Sequence, residues 1–76
     1  MNQETKAARQ KLRSATRAEF ESVVYDAMLT PMQEKVLRFH ICNGVSIQGI
    51  AERLGYSDSG IRKMLLRAYE KIAKVQ

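Results

Sequence analysis

Residues 51–63, AERLGYSDSGIRK, hold a small alanine, a glycine four residues later, and a serine-led polar run that ends in two basic residues. An apolar stripe leads up to the glycine: Ile47, Ile50, Ala51 and Leu54 are spaced by three, one and three, which is one helical face. A second stripe, Ile61, Leu65, Ala68, Ile72 and Val75, starts six residues after Gly55 and recurs at about 100° per residue. Between two such stripes a glycine supplies the positive φ that stops a helix tightly. Ser57 then has the hydroxyl that caps the next helix. Two short helices joined by a turn of three or four residues containing glycine form a helix-turn-helix. Its helices cross closely, so Ala51 must be small, and Leu54, Tyr56, Ile61 and Met64 are expected to clamp the crossing.

Upstream, LTPMQEKVLRFHICNG (residues 29–44) carries a complete set of helix signals. Thr30 can cap, Pro31 suits the first helical position, and Gln33 completes a capping box. Met32, Val36, Leu37 and Ile41 make the apolar stripe, and Asn43-Gly44 provides a left-handed stop. Thr16 and Glu19 form another capping box, which predicts a helix through AEFESVVYDAM (18–28) with Phe20, Val23, Val24 and Ala27 inward. Residues 1–17 are polar and basic, with Leu12 the only large apolar residue after Met1, and read as a basic N-terminal arm or frayed helix. Residues 18–76 form the helix-turn-helix domain. No stretch alternates like a half-buried strand, so the fold class is all-α: a small bundle of four to five helices containing a helix-turn-helix.

The chain has 76 residues, room for one small domain that hides about 60% of its unfolded surface. No apolar run approaches the ~18 residues of a membrane span and none resembles a leader, so a cytoplasmic protein without membrane contact is expected. Cys42 and His40 are the sole residues of their types. They supply neither a disulfide framework nor a metal site and are read as packing or boundary residues. With no histidine–nucleophile pair, carboxylate dyad or phosphate-binding glycine loop, neither catalysis nor a cofactor is expected.

Charge is divided along the chain. Residues 1–17 carry five basic residues against Glu4, residues 18–56 three against five acids, and residues 57–76 five against two. Both ends are basic around a mildly acidic middle, which suits an anionic partner such as nucleic acid, although the net charge of +5 also lies within what solubility alone requires. On the last helix the side opposite the apolar stripe gathers Ser59, Lys63, Leu66, Arg67, Glu70 and Lys74, flanked by Arg62 and Lys71. In a major groove Lys63 and Arg62 can donate to guanine, and Ser59 can adapt to either base type. Asp58 suits the positive end of the helix but repels phosphate, leaving a cytosine amino group or solvent as its neighbour. Leu66 can meet a thymine methyl or a partner, or stand as an isolated exposed leucine. Gly60, in the first turn, costs up to ~1 kcal/mol relative to alanine.

The stretch LTPMQEKVLRFHICNGVSIQGIAERLGYSDSGIRKMLLRAYEKI (29–72) resembles region four of bacterial sigma factors, the helix-turn-helix that reads the upstream promoter element. It is also similar to the DNA-binding domain of LuxR-type regulators. Gly44 follows Val36 by eight residues, as in the sigma pattern, and little chain remains for the extra C-terminal helix of the LuxR type. The sigma resemblance implies that Ser57 caps the recognition helix, that Asp58, Ser59 and Lys63 match positions facing base edges, and that Arg62 and Arg67 match base or phosphate contacts. The candidate DNA-binding set is therefore Ser57, Asp58, Ser59, Arg62, Lys63, Leu66, Arg67, Lys71 and Lys74, on a recognition helix of about 58–74. The expected function is sequence-specific double-stranded DNA binding by a small transcriptional regulator, encoded by a phage or mobile element, rather than a complete sigma factor. The alternative is an interaction module that docks on RNA polymerase or another regulator without its own DNA readout. A homodimer, the target sequence and the sign of regulation stay open.

Overall fold

The computed structural model describes residues 3–75, with side chains from residue 6. Five helices follow one another: α1 (Gln3–Ser14), α2 (Arg17–Ala27), α3 (Pro31–Ile41), α4 (Ile47–Leu54) and α5 (Asp58–Val75). There is no strand among the described residues. Helix α5 is the axis of the bundle, in contact with each of the other four.

Local chemistry sets the boundaries. At α2 the Glu19 N–H donates to Thr16 Oγ1 over 3.2 Å, and the Thr16 N–H donates to Glu19 Oε1 over 2.9 Å. The same reciprocal pair recurs at α3 between Thr30 and Gln33, at 3.1 and 3.2 Å, with Pro31 in the first turn. Both boxes occupy orphan backbone donors that the start of a helix otherwise leaves to water. Helix α2 ends one residue sooner than expected, because Met28 takes the left-handed conformation at φ 53°, which is costly for a residue with a Cβ.

The core runs along α5. Val36 and Leu37 of α3, Ile50 and Ala51 of α4, and Ile61, Leu65, Ala68 and Ile72 of α5 are buried, as are Phe20, Val24 and Ala27 of α2. Val23, Met32 and Ile41 are half-buried against this cluster. Three sequence expectations are corrected. Val75 is exposed at the last turn of α5, where no neighbouring helix covers it. Tyr56 is 43% exposed and outside the core cluster, so it does not help clamp the helix crossing. In place of the arm or frayed helix expected over residues 1–17, Gln3–Ser14 form α1, whose Ala8 and Leu12 are buried in the common core, and Arg17 already opens α2; residues 1 and 2 lie outside the described residues.

Tyr69 was not among the expected core residues, yet it is 2% exposed. Its hydroxyl has no hydrogen-bond partner among the described residues, and burial raises its pKa against the opposing pull of Arg9 and Arg13. On the α2–α3 side, Arg38 grips Glu21 with two 2.7 Å bonds, donates from Nε to Glu34 over 3.1 Å, and lies 5.5 Å from the centroid of the Phe20 ring. Hydrogen bonding from Arg38 holds the Glu21 carboxyl below its ordinary range.

Candidate nucleic-acid interface

The turn between α4 and α5 is built as its residue types require. Gly55 sits at φ 75°, and the N–H groups of Gly55 and Tyr56 both donate to the Ala51 carbonyl, at 2.9 and 3.0 Å. Three residues, 55–57, therefore separate the two helices. Ala51 and Ile61 are buried on either side of the turn, with Leu54 and Met64 half-buried against them. This rigid corner fixes how α5 projects.

Ser57 caps α5: its Oγ accepts from the Gly60 N–H at 3.1 Å, and its carbonyl accepts from the Ile61 N–H at 3.1 Å. The cap also accounts for Gly60, since a Cβ there would come within 3.2 Å of that same Oγ. The glycine lets the capping hydroxyl sit close, which offsets part of its helix penalty.

Beyond the cap, Asp58, Ser59, Arg62, Lys63, Arg67 and Lys74 are all exposed, as is Leu66 at 38%. Ser59, Lys63 and Arg67 rise at intervals of four along one side of α5, facing away from Ile61, Leu65 and Ala68. The apolar side is anchored in the bundle, so this strip is presented on a helix that cannot rotate without opening the core. Lys71 stands apart. It is half-buried, and its Nζ donates to Gln33 Oε1 over 2.9 Å, tying α5 to the start of α3. Its ammonium is engaged in holding two helices together.

One basic residue outside the expected set, Arg9, lies beside the same helix. Arg9 of α1 lines a groove with Arg62 and Leu66 of α5. Nothing in the sequence spacing couples residue 9 to residue 62; only the packing of α1 does. Arg53, on α4, lies 5.8 Å from the centroid of the Phe39 ring. His40, placed at a boundary by the sequence, holds the Val45 carbonyl with Nδ1 at 2.9 Å and so pins the α3–α4 connection. Cys42 is exposed at the end of α3. Among the described residues no three His, Cys, Asp or Glu side chains converge in a way that could hold a metal ion, and no helix is long and apolar enough to cross a membrane.

The chain matches the family sigma-70, region 4, over residues 27–72, more than half its length, and belongs to that family. The match takes in α3, α4 and α5 as far as Ile72, and leaves α1 and nearly all of α2 outside. No curated protein and no solved structure matches the chain.

Proposed function

We propose that this sigma-70 region 4 chain is a transcriptional regulator that binds double-stranded DNA by laying α5 in the major groove. The observation that carries the reading is the exposed strip Ser59–Lys63–Arg67 on the second helix of a capped, rigidly packed helix-turn-helix. Lys63, in the second turn of α5, is within the part of a recognition helix that meets base edges, where it can donate to guanine, and Arg62 beside it is placed at the border between base edges and backbone phosphate. Ser59 accepts or donates as the base requires. Arg67 follows one turn later, and Lys74 lies near the far end of the helix, where backbone phosphates flank the groove. Asp58 is left to solvent or a cytosine amino group, and Leu66 offers apolar surface to a thymine methyl or to the sugar beside it.

Selection of bound duplexes from a random-sequence pool, followed by sequencing, tests the reading. Enrichment of one motif is expected, with binding that weakens steeply in salt. For roughly 4 to 6 neutralised phosphates the log–log slope is about −4 to −5. A flat salt response, or no binding at low salt, contradicts it. A second reading, docking on RNA polymerase, is favoured by a separate observation: Tyr25 and Met28, at the end of α2, are 83% and 82% exposed. Two large apolar side chains on one helix end suit a protein contact better than a nucleic acid.

A further inference from the structure

Helix α1 lies outside the family match, yet it packs beside the recognition helix. Ala8 and Leu12 are buried at 2% each, so the position of Arg9, the neighbour of Ala8, is fixed by the core. Between α1 and α5 runs a groove of about 310 Å³. Arg9 enters it from α1, Arg62 and Leu66 from α5, and His40 and Ile47 line it as well. No acidic side chain among the described residues lines it. Among the described residues the ion pairs are those of Arg38 alone, so neither arginine of the groove is neutralised by a described carboxylate.

Two arginines that line one groove with no described acid beside them repel each other and attract an anion placed between them. A phosphodiester fits that demand, because the planar fork of arginine matches phosphate oxygens bidentately. The remaining lining is also appropriate: Leu66 and Ile47 offer apolar surface to the C–H edge of a sugar. The groove adjoins the exposed strip of α5, on the side of Arg62, where a strand bordering the major groove would pass.

We infer that Arg9 and Arg62 together hold one backbone phosphate of the duplex, so that α1 is part of the DNA interface and sets how α5 sits in the groove. This rests on the DNA-binding reading above and adds to it a contact from outside the matched region. The two arginines act on a single phosphate, which makes their contributions interdependent. Each needs the other to complete the grip.

The test uses a mixed-sequence duplex of about 20 base pairs, since a phosphate contact is independent of sequence. Affinity is measured by fluorescence anisotropy across a salt series for the full chain and for Arg9→Gln, Arg62→Gln and the double variant. Each single change should weaken binding by roughly tenfold, the size of one charge-assisted hydrogen bond. The double variant should be little weaker than either single one, with the salt slope reduced by about one unit. Arg9→Lys should keep the slope and lose part of the affinity, because a point charge lacks the fork. Unchanged thermal unfolding of the variants confirms that the loss belongs to binding.

Two results overturn the shared grip while leaving the DNA reading intact: Arg9→Gln binding like the parent, or losses that multiply while the slope falls by about two units. Absence of duplex binding by the parent chain at low salt would instead remove both.

Discussion

Helices α1 and α4 each give two buried residues to the bundle, Ala8 and Leu12 from one, Ile50 and Ala51 from the other, and they are specified in opposite ways. Helix α4 is written into its own neighbourhood. Ser46 Oγ accepts from the Gly49 N–H at 3.1 Å, Gly55 turns at φ 75°, and the apolar residues between them share a face. Among its described side chains, helix α1 has Leu12 as the single large buried one, and its place depends on a surface that α5 provides. A helix of the first kind can be recognised from eight residues. One of the second kind exists as an ordered element only because the rest of the molecule is already there, which is how isolated short helices behave in water.

The sharpest way to break this comparison is Leu12→Ala. If α1 belongs to the common core, the cost is ~2 to 5 kcal/mol, and urea unfolding keeps one cooperative transition with a lower midpoint. Persistence of the parent midpoint, with only a loss of helical signal, would make α1 an independent appendage. Ala51→Leu probes the other side of the comparison, the crossing of α4 and α5. Overpacking there should cost ~1 to 3 kcal/mol, and thermal unfolding at the parent temperature would show that residues 51 and 61 do not meet.

What could be read from the sequence follows the same division. The capping boxes at Thr16 and Thr30, the stop at Gly55 and the stripes on α3, α4 and α5 are all signals within a few residues of one another. Tyr69 was missed because a phenol at the edge of a stripe reads as an exposed aromatic until α1 covers it. The bond from Lys71 to Gln33 and the grip of Arg38 on Glu21 join residues far apart in the chain, and no spacing rule connects them. For the candidate interface, periodicity was enough to put Ser59, Lys63 and Arg67 on one exposed side of α5. It could foresee neither the bond of Lys71 to Gln33 nor the place of Arg9 beside Arg62, since both depend on which helix lies alongside α5.

A smaller effect separates long-range from local electrostatics. Hydrogen bonding to Arg38 lowers the folded-state pKa of Glu21 below the ordinary carboxylate value. A depressed carboxylate pKa gives stability that is present above the unfolded-state value and is lost as pH falls through the folded-state value. Thermal unfolding followed through the acid range should therefore fall less steeply in Glu21→Gln than in the parent. Identical acid limbs would mean that the two 2.7 Å bonds contribute nothing in solution. Smallest of all is Met28→Asn. Asparagine tolerates the left-handed conformation better than methionine, and little packing is lost at so exposed a position, so stability should rise by less than ~1 kcal/mol in chemical denaturation. A fall would show that the methionine side chain holds the end of α2.

The proposed function assigns reading and gripping to different parts of α5, and that separation is its central claim. Lys63 lies in its second turn, and Lys74 about three turns further on. Measured on a selected duplex and a scrambled one, Lys63→Ala should cost ~1 to 3 kcal/mol on the selected duplex and relax the choice at one base position. Lys74→Ala should weaken both duplexes alike and reduce the salt slope by about one unit. Equal losses on the two duplexes for Lys63→Ala would contradict the assignment of α5 as the element that reads the sequence.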